Sequence, residues 1–163
     1  MKEDSIQILC VCTGNTCRSP MAAQLLSHAL AAEEEPLKSI KVVSAGVSAG
    51  HGSPVSANSV HALKKVGLDV SDHTSQPVTE ELLRTSDLIL CMTESHRDIL
   101  KYQFDPLPAP VYLMREFHDP AQPEIPDPYG MNLHAYEVAR DSIVESIPAI
   151  IRFLKEEFLS QSG

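Results

Sequence analysis

Val11-Cys12-Thr13-Gly14-Asn15-Thr16-Cys17-Arg18-Ser19-Pro20 is the stretch whose reading decides the fold. Residues 6–11 before it are apolar apart from Gln7, and residues 21–26 after it are apolar apart from Gln24. This predicts a buried strand, a tight loop and then a helix, with Ser19 as the cap and Pro20 in the first turn. The loop begins with the thiol of Cys12 and closes with the guanidinium of Arg18. Between them the backbone N–H groups of Thr13, Gly14, Asn15, Thr16 and Cys17 can curl around a small tetrahedral anion. The helix behind adds further N–H groups and a partial positive charge. The same field favours negative charge on the sulfur. A nucleophile on the floor of an oxyanion cradle is suited to phosphoryl transfer.

A cysteine with an arginine six positions later is a cheap pattern, and the chain holds it twice. The second match is Cys91-Met92-Thr93-Glu94-Ser95-His96-Arg97, after another apolar run, residues 88–90. Gly14 and Asn15 in the first loop tolerate left-handed backbone angles, and no acid is present there. The second match has no glycine and puts Glu94 where an anion would sit. It predicts a strand end, with Thr93 capping a helix and Cys91 an inert core thiol.

The first loop resembles the active-site loop of the low-molecular-weight protein phosphatases, cysteine-dependent enzymes directed at phosphotyrosine or phosphoarginine. The resemblance spans nearly the whole chain. Ser44-Ala45-Gly46, His73, Asp87-Leu88-Ile89-Leu90-Cys91-Met92-Thr93 and Asp127-Pro128-Tyr129-Gly130 follow in that family's order and spacing.

The remaining chain reads as alternating elements in a single domain covering residues 1–163. Strands are expected at 40–43, from Asp87 and at 111–113, with a Gly/Ala/Ser-rich loop over 44–53. Ser53-Pro54 should open a helix that Gly67 closes, and Thr79 a shorter one. The first helix should end at the acids 33–35 and Pro36. Seven of the 12 prolines fall within 106–128, which marks an irregular loop. The last helix, from about Asn132, carries Ile143, Ile147, Ile150, Leu154 and Phe158 as one apolar stripe, with a kink or break expected at Pro148. Alternating strands and helices imply an α/β fold with a doubly wound parallel sheet, whose site lies beyond the carboxyl ends of the strands. The resemblance implies the same, a flavodoxin-like sheet of four strands.

A hydrophobic content of 43% suits an ordinary globular protein, and a formal charge of −9 argues against nucleic acid as a partner. No apolar stretch is long enough to span a bilayer, and the acidic N-terminus lacks signal-peptide character, so a cytoplasmic location is expected, with no membrane partner. The cysteine spacing suits neither a disulfide framework nor a zinc site. No metal and no organic cofactor is implied, and the oligomeric state is left open.

The resemblance implies a division of labour. Cys12 would attack phosphorus and form a phosphocysteine, and Arg18 would grip the equatorial oxygens. Asn15 and Ser19 would hold the loop, with Ser44 and His73 bracing Asn15. Three Asp-Pro pairs, at Asp105, Asp119 and Asp127, offer a leaving-group acid, and local sequence does not choose among them; the resemblance implies Asp127. Cys17 either packs or forms a reversible disulfide with Cys12. In the family, arginine-directed members carry Thr at the position of Thr16, where tyrosine-directed ones carry an aliphatic residue. The latter also tend to present an aromatic wall near Gly50. Tyr129 remains as a wall that suits a ring or a guanidinium. The substrate expected is therefore a phosphorylated protein, with phosphoarginine ahead of phosphotyrosine. Two further readings are a thioredoxin-coupled arsenate reductase, for which only Cys91 lies beyond Cys17, and a phosphocarrier.

Overall fold

The computed structural model describes residues 5–162. Four strands, β1 (Gln7–Cys12), β2 (Lys41–Gly46), β3 (Leu88–Cys91) and β4 (Val111–Leu113), form one parallel sheet in the order β2-β1-β3-β4. Both faces are covered, which explains why β1 and β3 read as unbroken apolar runs and not as alternating ones. Strand parity sorts their side chains into two cores. Ile8, Cys10, Cys12, Leu88 and Leu90 face helices α1 (Arg18–Ala31) and α5 (Leu133–Phe153). Leu9, Val11, Ile89, Cys91 and Leu113 face the other way, with Leu83 of α3 (Glu80–Arg84) and Leu100 of α4 (Glu94–Gln103). The chain runs outward from β1 to β2, then crosses back to β3 and β4. The reversal opens a crevice at the carboxyl ends of β1 and β3, where the loop after β1 sits. No helix among the described residues is long and apolar enough to cross a membrane.

Helix starts follow capping chemistry. Thr79, Thr93 and Asn132 each accept a backbone N–H from the third residue on, as their positions suggested. Helix α2 (Ala57–Lys64) begins later than Ser53-Pro54 implied, because Ser56 takes the cap and accepts from the Ser59 N–H. Helix α1 already begins at Arg18, with Cys17 at the cap position and no side-chain cap. Ser19 lies inside the helix, its hydroxyl engaged elsewhere. That helix ends at Ala31, ahead of the acids, and Glu33 instead meets Lys155 at 2.9 Å. Strand β2 extends through residues 44–46, expected in a loop, because Ser44 and Ala45 pair with Cys10 and Val11.

Helix α5 runs unbroken through Pro148, where a kink or break was expected. Pro148 is exposed, and so is Val144, whose carbonyl loses its partner to the missing N–H and can be hydrated. On the opposite side the buried Ile143, Ile147 and Ile150 hold the axis against the sheet. A wider, π-type turn follows over Leu154–Phe158, then α6 (Leu159–Ser162). Replacing Pro148 with Ala restores the bond to the Val144 carbonyl and should raise stability by about 1–3 kcal/mol. Urea unfolding should show a higher midpoint with an unchanged slope; an unchanged or lower midpoint would mean that the proline costs the helix nothing.

Candidate active site

The loop between β1 and α1 is held by Asn15, which is fully buried and stands at φ 59°. Gly14 does not take this left-handed conformation; Asn15 alone among the non-glycine described residues does. The Asn15 amide uses every hydrogen-bonding group it has. Its Nδ2 donates to Ser19 Oγ at 2.8 Å and to Ser44 Oγ at 3.0 Å, and its Oδ1 accepts from the Gln76 backbone N–H at 2.9 Å. The backbone donor fixes which amide atom is oxygen. His73 braces the same residue from behind, donating Nε2–H to the Asn15 carbonyl at 2.7 Å. Because Ser19 Oγ accepts from Asn15, its own hydrogen is available to the sulfur of Cys12, 2.9 Å away. Cys12 itself is 3% exposed.

Gly46 forms the seam between loop and sheet. A Cβ there would lie 2.4 Å from the Thr13 carbonyl oxygen and 3.0 Å from the Asn15 nitrogen. Only a glycine lets β2 come this close, and the N–H groups of Val47 and Ser48 then donate to the carbonyls of Cys12 and Thr13. Further on, the Thr16 carbonyl accepts from the Ser56 N–H at 2.9 Å. The Cys17 carbonyl accepts from Ser59 Oγ at 3.2 Å. Cys17 Sγ lies 3.4 Å from the hydroxyl of buried Tyr136. Burial first, and the Cys17 contact next, push that phenol up to about 12. Both Cys12 and Cys17 are free thiols.

Arg18 is 4% exposed. Its Nη1 donates to the Ile125 carbonyl at 3.0 Å, and its Nη2 stands 3.6 Å from Asp127 Oδ2. Of the three Asp-Pro aspartates only Asp127 contacts Arg18; Asp119 pairs with Arg115 at 4.0 Å. The Asp127 side chain is 57% exposed, so this ion pair contributes no more than about 1 kcal/mol. Asp127 Oδ1 also accepts from the Tyr129 N–H, and the Tyr129 side chain projects into solvent, 71% exposed. The second Cys-to-Arg match lies elsewhere. Cys91 is fully buried on the opposite face of the sheet from Cys12, its thiol pushed up to about 12 by burial. It cannot serve as a relay partner for Cys12 from there.

One residue at the site, Gln76, escaped the reading of the chain, and two others, Gly46 and His96, were read without their roles. Gln76 gave no local signal, since it acts across segments far apart in sequence; Gly46 stood in the Ser44-Ala45-Gly46 block, but its close approach to the loop has no local signature. His96 did carry one, the Thr93-x-x-His96 spacing of a capping box. Its Nδ1 accepts the Thr93 N–H at 3.2 Å, and its Nε2 lies 2.9 Å from Thr13 Oγ1. Burial, then the Arg18 cation, lower its pKa from 6.5 to about 4, with Asp127 opposing. As pH falls from 6.5 towards 4, the unfolded chain takes up a proton that the folded one refuses. Stability should therefore drop by about 1.4 kcal/mol per pH unit across that window. Between pH 7 and pH 5, urea unfolding should show the wild type losing about 2 kcal/mol more than His96→Gln. Equal losses would mean that His96 is not held neutral.

Residues 7–160 match the model of the low molecular weight phosphotyrosine protein phosphatase family. The chain is 36% identical over 154 residues to the protein-arginine-phosphatase of Bacillus subtilis (strain 168), covering 93% of this chain and 99% of that protein. Its fold is similar to that of the YwlE arginine phosphatase, solved as a cysteine-to-serine mutant with a phosphorylated active-site serine. The TM-score is 0.84 at 34% identity, with 93% of this chain and 97% of that one covered. It is also similar to the low molecular weight protein tyrosine phosphatase from T. tengcongensis, with TM-score 0.82, 36% identity, and 90% and 98% covered. With the family model and the relatives agreeing over nearly its whole length, the chain belongs to the low molecular weight phosphotyrosine protein phosphatase family of hydrolases.

Proposed function

We propose that the protein removes phosphoryl groups from proteins through a phosphocysteine on Cys12, with phosphoarginine as its preferred substrate. The observation that carries the mechanism is the buried chain from Asn15 through Ser19 to Cys12, which offers a hydroxyl hydrogen to the sulfur. A sulfur so served is stabilised as the thiolate. It attacks phosphorus, forming the S–P bond as the bond from phosphorus to the leaving nitrogen or oxygen breaks. Asp127 in its acid form gives the leaving atom a proton. The carboxylate then takes a proton from water, whose oxygen attacks phosphorus. The S–P bond breaks, the thiolate returns and inorganic phosphate leaves. Arg18 stays charged throughout and holds two equatorial oxygens, while the backbone N–H groups of residues 13–18 serve the rest. Ser44 and His73 act only through Asn15.

The arginine preference rests on the wall of the site. Thr16 brings a hydroxyl that can accept from a guanidinium N–H. Gly50 brings no side chain, and the space where a Cβ would stand is open. The protein-arginine-phosphatase of Bacillus subtilis and the YwlE structure are relatives with that named activity. Phosphotyrosine is the second reading, favoured by the exposed ring of Tyr129, on which a phenyl group can stack, and by the T. tengcongensis relative.

Cys12→Ser should abolish turnover, and Asp127→Ala should slow it by about 10²–10⁴-fold. Full hydrolysis by the serine variant would end the phosphocysteine scheme. For Thr16→Ile, the ratio of kcat/KM on phosphoarginine to that on phosphotyrosine peptides should fall roughly tenfold or more. An unchanged ratio would remove Thr16 from substrate choice.

A further inference from the structure

The scheme above leaves one pair of side chains without a task. Thr13 follows Cys12 directly and is exposed at the loop. Its Oγ1 lies 2.9 Å from Nε2 of His96, a residue 83 positions away and 3% exposed. The tautomer of His96 follows from its surroundings. Nδ1 accepts the Thr93 backbone N–H at 3.2 Å and stands 3.1 Å from Thr93 Oγ1. That hydroxyl accepts the His96 backbone N–H and has its own hydrogen to give. With two donors aimed at it, Nδ1 has no hydrogen, and Nε2 carries it. Nε2–H therefore donates to Thr13 Oγ1. One lone pair of the hydroxyl is thus occupied, and the hydroxyl hydrogen has no other partner among the described residues. A hydroxyl engaged as an acceptor, beside the sulfur in sequence and open to solvent, is left to donate outward.

We propose that the Thr13 hydroxyl is a further phosphate donor, giving its hydrogen to an oxygen of the bound phosphoryl group, and that His96 is the residue that positions it. This rests on reading the Cys12-to-Arg18 loop as the phosphoryl site. It adds a side-chain donor where that reading counts only backbone amides and Arg18. The imidazole suits the task because it is anchored at both ends. Thr93 Oγ1 accepts the His96 N–H while Nδ1 accepts the Thr93 N–H, so the first turn of α4 locks the ring. A ring so locked carries the rigidity of α4 to the first residue of the loop. Burial and the neighbouring Arg18 cation keep it neutral, and only the neutral form pairs an acceptor at Nδ1 with a donor at Nε2.

The test measures binding of inorganic phosphate by calorimetry, which needs no turnover. Thr13→Val should weaken phosphate binding roughly tenfold or more, the loss expected for one hydrogen bond to a charged group. Thr13→Ser should recover most of that loss. His96→Asn keeps an acceptor near the Thr93 N–H but is too short to reach Thr13; it should lose affinity comparably while its melting temperature stays near that of the wild type. The double variant should bind no more weakly than the worse single one, since both changes remove the same hydrogen bond. Binding by Thr13→Val within twofold of wild type, or losses that multiply in the double variant, would overturn the proposal. Should His96→Asn fail to fold, the Thr13 pair decides alone. Hydrolysis by Cys12→Ser would refute the phosphocysteine reading and leave these affinities to stand by themselves. A wild type that binds no phosphate would refute the donor role.

Discussion

An asparagine sealed from solvent in a left-handed conformation is the constraint on which this molecule is built. That backbone costs about 1–2 kcal/mol for a residue with a side chain, and an unpaired buried amide would add about 1–3 kcal/mol. Neither term is left uncompensated. Asn15 is tied to Ser19 in α1, to Ser44 in β2, and to His73 and Gln76 in the segment that returns to the sheet edge. Gln76 in turn donates to the Ser44 carbonyl, so the partners are tied to one another as well. Three segments far apart in sequence must dock before the loop has its shape. The site is thus a product of tertiary packing, and the local sequence of the loop alone could not hold it.

Arg18 extends the same logic to the other side of the crevice. One of its nitrogens is spent on the Ile125 carbonyl, which belongs to the loop that ends in Asp127. That loop is fixed at further points. The Ile125 N–H donates to the Met92 carbonyl, Glu124 accepts the Glu94 N–H at the start of α4, and Arg115 donates to the Gln122 carbonyl. The backbone leading to Asp127 is therefore clamped, while the carboxylate itself stays exposed. A lysine at position 18 could not make both contacts, since only the planar fork of a guanidinium offers two separated donors in fixed relation.

What the sequence disclosed and what it concealed divide along a physical line. Local signals were legible: the apolar runs of β1 and β3, the caps at Thr79, Thr93 and Asn132, and the stripe on α5. So was the loop itself, because its thiol and guanidinium lie within one turn of chain. The misreadings came where tertiary contacts override local rules. Ser19 has the chemistry of a cap, yet its hydroxyl is claimed by Asn15 and the sulfur. Residues 44–46 have the composition of a loop, yet pairing with β1 makes them strand. Pro148 should break a helix, yet its place beside exposed Val144 and opposite a buried isoleucine face carries α5 through it. Gly46, Gln76 and His96 meet the loop across gaps of 33, 61 and 83 residues, contacts that no local pattern announces.

The two Cys-to-Arg stretches show how small a difference separates a curled loop from a helix cap. Both begin at the end of a central parallel strand and both run into a helix. Register sets Val11 beside Cys91, so the two thiols fall on opposite faces of the sheet, and Cys91 is sealed among aliphatic side chains. The decisive position is the third after each cysteine. In the first stretch it is Asn15, which takes φ 59° and draws the loop inward through its amide. In the second it is Glu94, already the first residue of α4, whose N–H is taken by Glu124. Arg97 then lies along that helix, 3.4 Å from Glu94 and 3.9 Å from Glu116, its charge met by carboxylates. Arg18 meets a carbonyl and one exposed carboxylate. The same spacing yields a helix start where an acid stands third and an inward-drawn loop where an amide does.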